Sequence, residues 1–158
     1  MARLRFQRLE LKIPPPVVFL VCAGAMKGAA VACPFAAFDF PGRVAAAWIC
    51  FVPGAVLGLG GVATFLRART TLHSDRPQGA AKLVTTGLYR ISRNPMYAGL
   101  LCALAGGALA LGNALAALAP LAFVAYLNRF QIRPEERALQ EKFGAAFNAY
   151  AQATRRWL

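Results

Sequence analysis

Four stretches of almost unbroken apolar residues, 17–38, 44–66, 96–112 and 114–130, constrain this chain more than any other feature. The hydrocarbon core of a bilayer takes about 20 helical residues to cross, and only a helix or a closed barrel satisfies its own backbone there. The first two runs reach that length. The last two hold 17 residues each, about 26 Å of helix, enough for a thin or locally pinched bilayer. Only Asn113 separates them, so they read as a tight hairpin, with Pro120 placed to kink its second arm. A chain of 158 residues, 58% hydrophobic, holds the four runs as one unit. The expected fold is all-α: an integral membrane four-helix transmembrane bundle followed by a C-terminal amphipathic interfacial helix.

The cations orient that bundle. Of the 18 Lys and Arg, 16 fall in the tail (Arg3, Arg5, Arg8, Lys12), in the polar segment 67–95, or from Arg129 onward. Four crossings put all three groups on one side, leaving out only Lys27 and Arg43. By the positive-inside rule that side, with both termini, is cytoplasmic, which for a bacterium means the inner membrane. The net charge of +12 borders hydrophobic segments instead of forming a stripe on a soluble fold, so nucleic acid is set aside as a partner. Cys22, Cys33, Cys50 and Cys102 lie in or beside apolar runs with no Cys-x-x-Cys pair and read as free thiols. The lone His73 has no second ligand at metal-binding spacing, and no metal is expected.

Between the second and third runs, residues 82–99 carry a polar, cation-bearing loop straight into an apolar helix. Tyr89, Arg90, Arg93, Asn94 and Tyr97 give it a density of hydrogen-bonding and stacking groups that fits either a site or an interfacial anchor. Pro95 fixes its own φ and holds Asn94 extended, while Gly99 permits close approach of a backbone or ligand. Further on, Pro134 suits the first position of a helix and Glu135 and Glu136 its first turn, where the helix dipole favours negative charge. Leu139, Phe143, Phe147, Tyr150 and Trp157 recur at helical spacing, making 131–158 an amphipathic helix that lies on the interface or folds over the loop, with Arg155, Arg156 and Trp157 as its anchor.

The order of these motifs resembles the isoprenylcysteine carboxyl methyltransferase and phospholipid methyltransferase superfamily of integral membrane enzymes. The resemblance rests on Leu-Val-Thr-Thr-Gly-Leu-Tyr-Arg at 83–90, Arg-Asn-Pro-Met-Tyr-Ala-Gly at 93–99, Pro-Glu-Glu-Arg at 134–137, and Phe143-Gly144 with Tyr150 and Trp157. Isoprenylcysteine enzymes usually have His where Asn94 stands; the Asn-Pro-Met-Tyr form is closer to phospholipid methyltransferases. The resemblance implies S-adenosylmethionine as cofactor, S-adenosylhomocysteine as product, and a first helix that is retained, although a basic start and the small residues before Cys33 also fit a cleaved leader. It further implies a cofactor motif at Gly58-Leu59-Gly60.

The chemistry follows from charge. S-adenosylmethionine carries a sulfonium and an α-amino group, and in a region crowded with Arg the scarce carboxylates, Glu135 and Glu136, are the groups suited to hold them. Arg93 and Asn94 are the expected catalytic residues, meeting the methionine carboxylate or orienting the acceptor. Tyr89 or Tyr97 can stack on adenine, with Gly99, Gly58 and Gly60 giving room. Methyl transfer is an in-line displacement, so alignment and water exclusion are the main tasks. The acceptor is expected to be a lipophilic compound, an isoprenylcysteine-type carboxylate or a phospholipid head group, entering from the membrane lipids. Two other classes stay open: an NADPH-dependent enzyme like the membrane sterol reductases, and a non-catalytic lipid-binding protein.

Overall fold

The structure is a computed structural model and describes residues 10–67 and 82–158. The expectations placed on Arg3, Arg5, Arg8, Arg69, His73 and Arg76 lie outside the described residues. Apart from two isolated bridges, the described residues are helices and turns.

Helix α1 spans Pro15–Ala32. Pro15 stands at its first position, where a missing N–H costs nothing, and Pro14 O accepts from Val17 N at 2.9 Å. The helix stops well before residue 38, the end expected from apolarity alone. Cys33 N still bonds Ala29 O, but Pro34 has no N–H to continue the ladder and opens a short turn, Pro34–Ala36. Hydrophobicity marks membrane depth here and not helical geometry.

Helix α2 spans Arg43–Arg67, 25 residues, and α3 spans Pro95–Leu111. They form the tightest contact in the molecule. The buried positions of α2, Ala47, Gly54 and Gly61, recur every seven residues, and on α3 Gly99 and Gly106 do the same. A Cβ on Gly99 would stand 2.6 Å from Gly54 O and 2.6 Å from Gly58 N, and one on Gly106 would stand 2.9 Å from Ala47 O. Backbone therefore packs on backbone, the usual solution where lipid removes the hydrophobic drive for side chains to associate.

At the far end, Gly112 closes α3 in the left-handed conformation (φ 59°), and Asn113 begins the return. Its buried side chain accepts from Leu115 N (3.0 Å) and Ala116 N (3.3 Å) and donates to Cys33 O (2.9 Å). The hairpin break is thus a helix cap that also ties down the end of α1. Arg43 completes this end: its Nη1 donates to Leu109 O (2.9 Å) and Ala110 O (2.6 Å), the terminal carbonyls of α3, and its Nε to Asp39 (2.9 Å).

From Ala114 the chain stays helical to Phe143, 30 residues, through a tight turn Ala114–Ala117, α4 (Leu118–Leu127), a π-turn Asn128–Ile132 and α5 (Arg133–Phe143). Pro120 falls in the first turn of α4. The expected stop at 130 is overridden because the π-turn accommodates Pro134. Pro134 cannot donate to Phe130 O, and that carbonyl instead accepts Leu11 N at 3.0 Å. The C-terminal segment is two helices and not one: Gly144 (φ 51°) ends α5, and α6 covers Ala145–Ala153.

The core joins Val18, Cys22 and Met26 of α1 to Leu104 and Ala108 of α3 and to Phe123, Leu127 and Ile132. Leu20, Val21, Ile49, Val52, Val56, Leu59 and Leu121 point outward. Pro15–Ala32, Arg43–Arg67 and Ala114–Phe143 are long and apolar enough to cross a membrane, and Pro95–Leu111 is a shorter apolar helix. With their outward faces this oily, these helices form an integral membrane bundle. The polar half of the last one, from Arg129 on, carries seven charged residues and projects beyond the apolar part.

Candidate active site

The projecting end is built by folding the chain's last residues onto the loop before α3. After the tight turn Gly87–Arg90, Arg93 N donates to Arg155 O at 2.8 Å. Fully buried Ser92 accepts from Asn94 N (3.0 Å), and Asn94 Nδ2 donates to Arg156 O (2.9 Å). Asn94 holds the capping position of α3, but its side chain makes no cap bond and reaches the C-terminal segment instead. Tyr150 Oη donates to Tyr89 O at 2.8 Å, and the buried Tyr89 ring meets Phe65 edge-on, centroids 5.1 Å apart.

Arg93 is the hub. Its Nη2 and Nε donate to Glu136 Oε1 (2.8 and 3.2 Å), and its Nη1 to Ala151 O (2.8 Å) and Thr154 O (2.6 Å). Arg156 grips the same carboxylate, with Nη2 at 2.6 Å from Oε2 and Nε at 3.1 Å from Oε1. Burial pushes the Glu136 carboxyl up, but the bonds and charges of Arg156 and Arg93 outweigh that and hold it below the ordinary value.

Glu135 has the opposite environment. Tyr97 Oη and Gln131 Nε2 both donate to its Oε1 at 2.7 Å, and among the described residues no donor bonds Oε2. Burial raises its pKa to about 7; the bonds from Gln131 and Tyr97 oppose the rise and the Glu136 charge adds to it. Two adjacent carboxylates thus differ in kind, one locked as an anion and one poised to titrate. Burial also pushes the Tyr150 hydroxyl up to about 12 and raises the Tyr89 hydroxyl above its ordinary value.

Of the residues singled out in the sequence, Arg93, Asn94, Tyr97, Glu135 and Glu136 come together in this network, with Tyr89 at its edge. Gly99, Gly58 and Gly60 lie elsewhere, in packing contacts: Gly58 against Gly99, and Gly60 against Leu88. Gln131, Ser92 and Arg156 were not anticipated. Arg156 and Trp157, read as an interfacial anchor, turn onto the protein, Trp157 Nε1 donating to Asn128 Oδ1 at 3.1 Å. The helical spacing of Gln131 to Glu135 was the one available signal, since residues four apart share a face.

The family model for phospholipid methyltransferase matches residues 41–146, from the start of α2 past the end of α5. An uncharacterized protein of Haemophilus influenzae is 46% identical over 63 residues, 40% of this chain and all of that protein. The Arabidopsis thaliana protein-S-isoprenylcysteine O-methyltransferase B is 34% identical over 122 residues, 72% of this chain and 60% of its own length. No solved structure matches. The matched span holds both the Arg93–Gly99 loop and the acidic pair, so the chain belongs to the membrane methyltransferase superfamily that joins the phospholipid and isoprenylcysteine enzymes.

Proposed function

We propose that the protein is an S-adenosylmethionine-dependent methyltransferase of the cytoplasmic membrane face, acting on a lipophilic or amphiphilic acceptor, an isoprenylcysteine-type carboxylate or a phospholipid head group. The observation that carries this reading is the junction of Tyr97 with Glu135 at 2.7 Å, which joins the loop to the acidic helix from 38 residues away. A half-buried carboxylate with one oxygen unbonded among the described residues suits a cationic ligand.

When bound, the cofactor supplies a methyl group already activated by a sulfonium. Glu135 would hold its cationic part, and Tyr97 and Gln131 fix the Glu135 rotamer by bonding Oε1. Arg93 is a positioning residue: its donors are engaged by Glu136, Ala151 O and Thr154 O, so it clamps α5 and the C-terminal segment to the loop. Asn94 sits beside it and orients the acceptor. The N-terminal segment meets the same end, since Glu10 pairs with Arg129 (2.7 Å) and Arg137, which supports both termini lying in the cytoplasm of a bacterial inner membrane.

The test is titration calorimetry of detergent-purified protein with S-adenosylmethionine. Micromolar binding is expected, with affinity rising as pH passes through about 7, because only ionised Glu135 attracts the cation. Glu135→Gln is expected to lower affinity by about tenfold or more and to flatten the pH dependence. Heat with NADPH and none with S-adenosylmethionine would overturn the assignment.

A further inference from the structure

The polar end is tied from the other terminus as well, and the tie falls on an irregular piece of helix. The π-turn Asn128–Ile132 is a geometry that helices adopt only in single turns. Both ends of the chain hold it. Trp157 Nε1 donates to the side chain of its first residue, Asn128, at 3.1 Å. From the other terminus Glu10 pairs with Arg129 inside the turn (2.7 Å) and with Arg137 on α5, and Leu11 N donates to Phe130 O at 3.0 Å. Glu10 is the one acid in a tail that otherwise carries Arg3, Arg5, Arg8 and Lys12. Its side chain is only 13% exposed, so two guanidinium groups converge on it in a partly dry place. Leu11 has φ 60°, a left-handed angle that a bulky side chain rarely takes, and no other non-glycine among the described residues shares it. Such strain persists only where the contacts on either side over-determine it, so the segment is held at the turn.

The turn matters because of what it carries. Buried Gln131 supplies one of the two bonds to Glu135 Oε1, at 2.7 Å. Leu11 bonds the residue just before Gln131, and Glu10 the one before that. A displacement of the turn by about 1 Å would carry the Gln131 donor out of hydrogen-bonding reach. We propose that Glu10 is a positioning residue for the ligand-holding acid: by clamping the π-turn it keeps Gln131 on Glu135 and so fixes the orientation in which that carboxylate meets a cation. This deepens the methyltransferase reading above and rests on it. The groups facing Glu135 are Tyr97 from α3, Gln131 from the π-turn, Glu136 beside it and Tyr89 from the Gly87–Arg90 turn. Those facing Glu10 are Arg129 and Arg137. A bond donated to an ionised carboxylate lowers its pKa, as those from Gln131 and Tyr97 do here against burial, so slackening Gln131 raises it. Arg129 and Arg137 left uncompensated would act in the opposite direction, which separates positioning from bare charge.

The experiment is calorimetric titration of the full chain in detergent with S-adenosylmethionine across the pH range around 7, on Glu10→Gln, Gln131→Leu and the double variant. Glu10→Gln is expected to weaken binding near neutral pH by about threefold and to move the pH midpoint of binding up by about half a pH unit. Gln131→Leu is expected to move it further the same way, and the double variant to match Gln131→Leu alone, because the two changes remove one and the same bond. Should Glu10→Gln fail to fold, Arg137→Gln serves instead: it leaves Arg129 on Glu10 and is expected to shift the midpoint upward by less. A Glu10→Gln protein of lowered melting temperature but unmoved midpoint and affinity would make the clamp purely structural and overturn the proposal. A downward shift would trace the effect to the uncompensated arginines, and additive losses in the double variant would trace it to a route other than Gln131; either overturns it and leaves the methyltransferase standing. No S-adenosylmethionine binding to the unmodified protein would sink the methyltransferase, and the role of Glu10 with it.

Discussion

Each end of the bundle is fastened by one arginine, and the two differ in what remains after the fastening. At the far end Arg43 engages two carbonyls of α3 and Asp39, which is 83% exposed, while Asn113 closes the α3 to α4 return. All of these bonds terminate helices. At the near end Arg93 likewise engages two carbonyls and one acid, yet its partner Glu136 is only 18% exposed and a second acid beside it keeps an unbonded oxygen. The same arrangement of arginine, carbonyls and carboxylate only closes the helices at one end and, with one carboxylate more, forms the candidate site at the other. Leftover polar capacity in a partly dry environment separates the two.

The sharpest break in that comparison comes from deleting each arginine. Arg93→Ala leaves Glu136 with half its counter-charge and two carbonyls unbonded, and is expected to cost about 3 kcal/mol in thermal unfolding in detergent. Arg43→Ala removes an exposed pair and two carbonyl bonds and is expected to cost about 1 kcal/mol. Equal losses would mean that the ends are equivalent. Next in size, Gly99→Ala forces a methyl to 2.6 Å from α2 backbone and is expected to cost about 2 kcal/mol. By contrast Gly58→Ala meets nothing within 4 Å and should cost less than about 1 kcal/mol. A stable Gly58→Ala protein that no longer binds S-adenosylmethionine would restore Gly58 to the cofactor site. Asn113→Ala loses the cap and is expected to cost about 1–2 kcal/mol, read on the same unfolding curve.

The smallest effect has a distinctive sign. Glu135 has a folded-state pKa raised from 4.5 to about 7, so the native chain binds its proton more tightly than the unfolded chain. Its contribution to stability is therefore full at acid pH and lost as pH rises between those values. Glu135→Gln should match the unmodified protein near the lower value and exceed it in stability above about 7. Two pH profiles that stay parallel across this range would show that the carboxylate is solvated, removing the contrast with Glu136.

The long elements were legible because apolar runs of crossing length leave the backbone few choices. Their ends were not. Phe35, Ala37 and Phe38 are as apolar as α1 but follow Pro34, and the helix into α5 passes a proline that local rules assign to a start. The meeting of Tyr97 with Glu135 was legible only through the order of family motifs, since no local periodicity links residues that far apart. Ser92 and Arg156 were invisible for a further reason. Ser92 bonds backbone atoms, Asn94 N and Arg156 O, and the Arg156 guanidinium bonds Glu136 from 20 residues away; the contacts with Arg156 exist only after the C-terminal segment has folded over, and residues 147–158 lie outside the span matched by the family model.

Pro134 has a consequence that reaches past its own helix. By withholding one donor it leaves the Phe130 carbonyl available, and Leu11 occupies it one helical turn from the titrating carboxylate. The segment at Leu11 is thereby held next to Gln131, whose side chain bonds Glu135. A change at position 134 that restored the missing donor would compete with Leu11 for that one carbonyl and leave the Glu10 pairs with Arg129 and Arg137 to hold the segment alone.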